Sequence, residues 1–247
     1  MKKNFYILIQ KNDIKECKKM KITDGNDNYF SIAETPSLQA NILTGKTFFF
    51  LGSSVTCGAG AHGEGMGAFI AKRNNCVCLT EAVSSTTLAD LNEKSYVRRF
   101  ENYIASNEKT EHLDAFICQL STNDRSLPTF GKIAEGKEFA MLDKTTTFGA
   151  IEYIIALCKQ TWNCPIVFYT GSWFDASNYE TMIQGLKSIA KKWDITILDL
   201  FYDKEFNALP KELYDLYMLD PVHPKRAGYR EWWVPAFENC LKTLLTE

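Results

Sequence analysis

Residues 47–56 read TFFFLGSSVT, an unbroken apolar run that stops at Gly52 and turns abruptly into hydroxyl-bearing residues. A run without polar alternation suits a strand covered on both faces, as in a parallel sheet. The same signal recurs at 76–79 (CVCL), 115–120 (AFICQL), 166–169 (IVFY) and 195–200 (ITILDL). Helical patterns separate these runs, over about 67–74, 87–106, 147–162, 178–193 and 225–245. Within 147–162, Phe148, Ile151, Ile155 and Cys158 fall on one helical face. Strand and helix in alternation predict an α/β protein. The expectation is a single doubly wound, three-layer α/β/α domain with five parallel strands over residues 46–247.

Residues 1–45 do not share the alternation. They hold the apolar run Phe5–Ile9, a charged stretch and a second short run, Tyr29–Ile32. They read as an N-terminal appendage of one or two extra strands. Residues 125–146, rich in Gly, Lys and Thr, follow the third strand and read as a surface loop at the carboxyl edge of the sheet.

The chain has 247 residues, enough for one α/β domain with a full core. Its 28 basic and 30 acidic side chains are scattered, which argues against a nucleic-acid binder. No stretch approaches the roughly 20 apolar residues of a membrane span. The start, MKKNFYILIQKND, is apolar only over Phe5–Ile9, shorter than the core of a signal peptide. A cytoplasmic protein is therefore expected. Cys76, Cys78, Cys118 and Cys158 sit in apolar patterns and read as free core thiols. With no CxxC pair and three histidines, no metal site is expected.

Two polar clusters sit where strands end, and a third lies on a loop before the last predicted helix. Ser54, just past Gly52, can present a hydroxyl above the sheet, although Ser and Gly are also ordinary turn residues. Asn123, in Ser121-Thr122-Asn123-Asp124, can offer an amide to a developing oxyanion or simply cap the next element. Asp220 and His223, in DPVHP, can meet through a carboxylate–Nδ1 bond that frees Nε2 as a base, or can cap the final helix. His112 falls at the opposite end of the sheet, and His62 lies in a glycine-rich loop. Only His223 has an acid at useful spacing. Gly58-Ala59-Gly60-Ala61-His62-Gly63 matches the dinucleotide pattern G-x-G-x-x-G, with Glu81 near the next strand end. It comes too late after the strand for the first glycine to close the turn. Trp173 follows the fourth strand. Packing under a loop is the usual fate of Trp, whereas an exposed ring there would offer a sugar a flat face.

Taken together and in order, these clusters resemble the SGNH/GDSL hydrolase family, from about residue 45 to the C-terminus. Its Gly-Asp-Ser block resembles Gly52-Ser53-Ser54, its glycine-bearing turn resembles the stretch around Ser85, its Gly-x-Asn-Asp block resembles Ser121-Thr122-Asn123-Asp124, and its Asp-x-x-His block resembles Asp220–His223. The resemblance implies a flavodoxin-like fold and a serine esterase acting on a small molecule; with no Leu/Ile-rich lid stretch in the sequence, a short acyl group such as acetyl is expected, and an exposed Trp173 would suit a carbohydrate ester. It places the nucleophile on Ser54, the base on His223 and its orienting acid on Asp220. The oxyanion donors fall on the N–H groups of Ser54 and Ser85 and the amide of Asn123. No cofactor, metal or membrane enters this chemistry, and the substrate and oligomeric state stay open. Three serines depart from the pattern, at Ser53, Ser85 and Ser121. They leave the alternative of a domain that binds an acylated or sugar ligand without turning it over.

Overall fold

The computed structural model describes residues 22–106 and 108–246. Its sheet has five strands, β1 (Thr47–Gly52), β2 (Val77–Ala82), β3 (Ala115–Gln119), β4 (Ile166–Tyr169) and β5 (Thr196–Leu198). Their spatial order is β2-β1-β3-β4-β5, and every pair is parallel. This is the expected doubly wound, flavodoxin-like order. The chain reverses direction across the sheet between β1 and β3, where α/β proteins open a crevice at the strands' carboxyl ends.

The apolar runs form strands because both sides of the sheet are covered. Along β1, Phe49 and Leu51 enter one core and Phe48 and Phe50 the other. The first core is closed by α3 (Tyr96–Ala105), α4 (Thr147–Thr161) and α5 (Ser177–Trp193). The second is closed by α2 (Met66–Asn74), α6 (Lys211–Tyr217) and α7 (Val234–Leu244), together with the π-helical turn Gly228–Trp233 that leads into α7. Between β1 and α2 lies a single helical turn, α1 (Ser54–Cys57).

Some expectations are corrected. The helix read over 87–106 begins only at Tyr96, where Ser95 accepts a bond from the backbone N–H of Arg98. Residues 83–95 are instead a loop whose backbone is tied to other groups. The helix read over 225–245 is divided by the π-turn. Cys76 and Cys78 are half-buried rather than core, because β2 is an edge strand, whereas Cys118, Cys158 and Cys164 are buried. The short run Tyr29–Ile32 is no strand: Asn28–Phe30 is a 3₁₀ turn capped by Asp27. Phe5–Ile9 lies outside the described residues.

From residue 24 to residue 45 the chain runs as a strap over the second layer. Its Ile32 N–H donates to Glu64, Ser37 to the carbonyl of Lys72, and the Asn41 amide to Asn74. The insert 125–146 is held as firmly. Glu152, fully buried in α4, accepts from the backbone N–H of Ala134, from Lys192 and from the indole of Trp193. Lys192 also donates to the carbonyls of Ala134 and Gly136. A buried charge persists where it is paired and hydrogen-bonded in this way. No helix among the described residues is long and apolar enough to cross a membrane.

Candidate active site

Gly52 ends β1, and the chain folds at once into α1, with Ser53 before it and Ser54 as its first residue. Four residues cannot hold a helix alone, and side chains from neighbouring strands secure this one. Gln119, at the end of β3, accepts through Oε1 from the N–H of Ser53 (2.9 Å), the hydroxyl of Ser53 (3.2 Å) and the hydroxyl of Thr56 (2.8 Å). Thr56 also meets Tyr169 OH, at 2.6 Å. Gly52 admits no side chain, since a Cβ there would lie 1.6 Å from Thr56 Oγ1. The place where the resemblance expects an Asp thus holds a buried serine that hydrogen-bonds a glutamine.

The turn delivers Ser54 Oγ to 2.8 Å from His223 Nε2. The other ring nitrogen, Nδ1, lies 2.8 Å and 3.0 Å from the two carboxylate oxygens of Asp220. The same carboxylate accepts from the backbone N–H groups of Val222 and His223, which fixes its direction. Partial burial works against charge on Asp220, but the Val222 N–H and the His223 ring and N–H outweigh it and hold the carboxyl below its ordinary pKa. An ionised Asp220 selects the tautomer with the proton on Nδ1, which leaves Nε2 to accept from Ser54. Ser54 is only 8% exposed, deeper than a hydroxyl standing free above the sheet.

Two loops meet at the end of β1, one tied to Gly52 and the other tied to the first. In the loop after β2, Ser85 has φ 62°, in the left-handed region. The serine therefore adopts the conformation for which glycine is the usual choice. Its neighbours hold it there. Thr86 donates its hydroxyl to the carbonyl of Val83, and the N–H of Val83 reaches the carbonyl of Gly52. In the loop after β3, the Asn123 amide (2.9 Å) and the Ser121 hydroxyl (3.1 Å) both donate to the carbonyl of Thr86. One N–H of the Asn123 amide is used in this bond, and an amide has two. Ser121 thus links the two loops. Asp124 links them again, accepting from the N–H groups of Leu88 and Ala89. Burial pushes its carboxyl pKa up, against those bonds.

Arg99 was not legible as a site residue. Nearly buried on α3, it donates to the carbonyl of Gly52 (2.8 Å), to Glu81 (3.0 Å) and to Thr86 Oγ1 (3.4 Å). Glu81 is thereby an ion-pair partner. In the dinucleotide-like pattern, Gly58 (φ 76°) ends α1 and Gly60 lies against His223, while Gly63 (φ 84°) takes a left-handed turn in open space. His112 is exposed beside Asp114 at the amino end of β3, and His62 is exposed in its loop. Among the described residues, no group of three or more His, Cys, Asp or Glu side chains could hold a metal ion.

Trp173 corrects the expectation of packing under a loop, for it is 55% exposed. Its backbone is pinned, the N–H donating to Asn207 Oδ1 at 2.8 Å. Asn207 in turn donates to the carbonyls of Leu200, Phe201 and Asp203. The adjacent Phe174 is buried with the Arg125 guanidinium over its ring, so the Trp173 segment abuts the loop that carries Asn123.

No protein-family model matches the chain, and no curated protein matches its sequence. Solved structures do match. A member of the lipolytic protein G-D-S-L family from Veillonella parvula superposes with a TM-score of 0.56 at 15% identity, over 78% of this chain and 97% of its own. The fold is that of the SGNH/GDSL hydrolases. A protein from Lactobacillus plantarum shares it, with a TM-score of 0.63 at 19% identity over 81% of this chain and 98% of its own. A family two carbohydrate esterase from Clostridium thermocellum, solved with cellohexaose, shares the SGNH/GDSL fold at 14% identity with a TM-score of 0.52, over 83% of this chain and 67% of its own.

Proposed function

We propose that this protein is a serine esterase that removes short acyl groups, such as acetyl, from a small molecule, with an acylated sugar as the favoured substrate. The observation that carries the reading is the unbroken chain Ser54 Oγ–His223 Nε2 and His223 Nδ1–Asp220, 2.8 Å at each link. In this mechanism Ser54 Oγ attacks the carbonyl carbon while His223 takes its proton. The negative oxygen of the tetrahedral intermediate is held by the N–H groups of Ser54 and Ser85 and the free N–H of the Asn123 amide. The ester C–O bond then breaks, and the leaving alcohol takes the proton from His223. Water, deprotonated by the same imidazole, attacks the acyl-serine, and the acid departs as Ser54 recovers its proton. Asp220 keeps the ring oriented and stabilises its cationic form. No cofactor takes part.

The sugar preference rests on Trp173. An indole held open by a pinned backbone, on the loop that touches the Asn123 segment, suits one face of a pyranose ring. The bound cellohexaose of the Clostridium esterase supports carbohydrate as a ligand class for this fold. The test is labelling of the purified protein with a fluorophosphonate, followed by a screen of p-nitrophenyl acetate to octanoate and acetylated sugars. Labelling and acetyl-ester turnover are expected in the wild type, and both should vanish in Ser54→Ala. Sugar binding without labelling would replace this reading with that of a non-catalytic ligand-binding domain.

A further inference from the structure

The nucleophile and the base lie 169 residues apart, and one side chain from the N-terminal strap ties their two loops together. Asn26 Nδ2 donates to the carbonyl of Gly60, in the loop that follows α1, at 2.9 Å. Asn26 Oδ1 accepts from the backbone N–H of Arg226, three residues past His223, at 3.0 Å. The two bonds run in opposite senses, so they need a carboxamide, and a carboxylate can make only the second.

Gly60 is where these two loops touch. A Cβ there would lie 3.0 Å from His223 Cβ and 2.6 Å from the carbonyl oxygen of Pro224. The bare backbone at Gly60 is therefore packed directly on the base. The base loop is gripped from the same strap by further bonds. Arg226 donates to the carbonyl of Asn26 and to Asn28, and the N–H of Ala227 reaches the carbonyl of Gly25; Arg226 also pairs with Glu64, in the segment that follows Gly60.

We propose that Asn26 is a positioning residue for the Ser54–His223–Asp220 triad, setting the separation of Ser54 and His223 by clamping the Gly60 loop to the His223 loop. The proposal rests on the esterase reading of the same site. Asn26 touches neither the reacting atoms nor the triad. The His223–Asp220 bond is local to its own loop and does not need the clamp. The Ser54–His223 bond crosses between loops and does. Displacements of the order of 1 Å at such a bond cost about 10²-fold in rate.

The experiment compares Asn26→Asp, Gly60→Ala and Asn41→Ala with the wild type. Asn26→Asp keeps size and the acceptor while losing the donor to Gly60. Gly60→Ala pushes the same contact apart from the other side. Asn41→Ala weakens the far end of the strap, where it binds Asn74, and serves as the control. The readouts are the fluorophosphonate labelling rate, kcat and KM on the best acetyl ester, and circular dichroism at the assay temperature. Asn26→Asp and Gly60→Ala should each lower labelling and kcat about 10–100-fold, with KM changed less than threefold and the fold retained. Asn41→Ala should label at the wild-type rate. Labelling of Asn26→Asp within twofold of wild type overturns the proposal, as does an equal loss in Asn41→Ala. If Asn26→Asp does not fold, Gly60→Ala decides by the same measures.

Absence of labelling in the wild type would instead count against the esterase reading, and imidazole NMR separates the two. With three histidines, the His223 Nε2 signal can be assigned by His223→Ala. Ser54→Ala should shift that signal in the wild-type background and leave it nearly still in the Asn26→Asp background. An equal shift in both backgrounds overturns the clamp whatever the catalytic outcome.

Discussion

Ser85 holds φ at 62° without being glycine, a conformation that costs an L-residue about 1–2 kcal/mol. In the proposed reaction its N–H is one of three oxyanion donors, and the left-handed turn aims it. Ser85→Gly should keep turnover within twofold. Ser85→Val, whose branched side chain fits that region poorly, should lower kcat about 10²–10³-fold if it turns the donor away. It should also lower stability by about 1–2 kcal/mol. Steady-state kinetics and urea unfolding of the two variants check this, and equal kcat in both would remove Ser85 from the reaction. The pairing of Asp220 with His223 was legible because a three-residue spacing is local. Ser54 was reachable from the position of a hydroxyl after a strand and from the order of the blocks. Arg99 was hidden, because an arginine in a helical stretch looks solvated until the carbonyl of Gly52 is seen beneath it.

At the scale of elements, α1 is a four-residue turn whose stability comes from β3 and β4. Gln119 interrupts an apolar run, and that was the available signal for a buried acceptor. Gln119→Leu would leave the Ser53 N–H and hydroxyl without their partner while filling similar space. A buried donor left unpaired costs about 1–3 kcal/mol, so the thermal midpoint should fall by several degrees, roughly 2–4 °C per kcal/mol for a chain of this size. Unfolding followed by circular dichroism measures it, and an unchanged midpoint would show that α1 does not depend on this glutamine. The three central strands, β1, β3 and β4, were readable because they are buried between layers and so written as apolar runs, whereas the edge strands β2 and β5 are only half-buried and carry shorter apolar runs mixed with polar residues. The stretch 87–95 carries a helical pattern yet forms a loop, because the N–H groups of Leu88 and Ala89 go to Asp124, a tie its own sequence does not reveal. Tyr29–Ile32 carries the pattern of a strand because a short apolar run looks the same whether it pairs or merely packs.

For the whole molecule, acid should be the weak side. Glu101, Asp114 and Asp220 are all held below their ordinary pKa values. In each, burial opposes the charge, and hydrogen bonds and cations outweigh it. These are Lys144 and Tyr153 at Glu101, the Thr47 N–H and Lys46 at Asp114, and the His223 loop at Asp220. A carboxyl with a lowered folded pKa stabilises the fold above its unfolded value and loses that contribution as pH falls through the folded value. Asp124, raised by burial, works in the opposite direction. Three against one predicts a melting temperature that is flat near neutrality and declines below about pH 4, the ordinary carboxylate range. Thermal melts from pH 7 to pH 3 test it, and a midpoint that rises on acidification would contradict it. The pairing of buried Glu152 with half-buried Lys192 has a consequence of another kind. It ties the insert that begins beside Asn123 at Ala134 and Gly136, the arrangement of a mould and not of a hinged cover. In the proposed reaction a fixed flank would select by size in a graded way, each methylene added to the acyl chain meeting the same wall, and an ester dissolved in water would reach Ser54 without waiting for any part of that wall to swing aside.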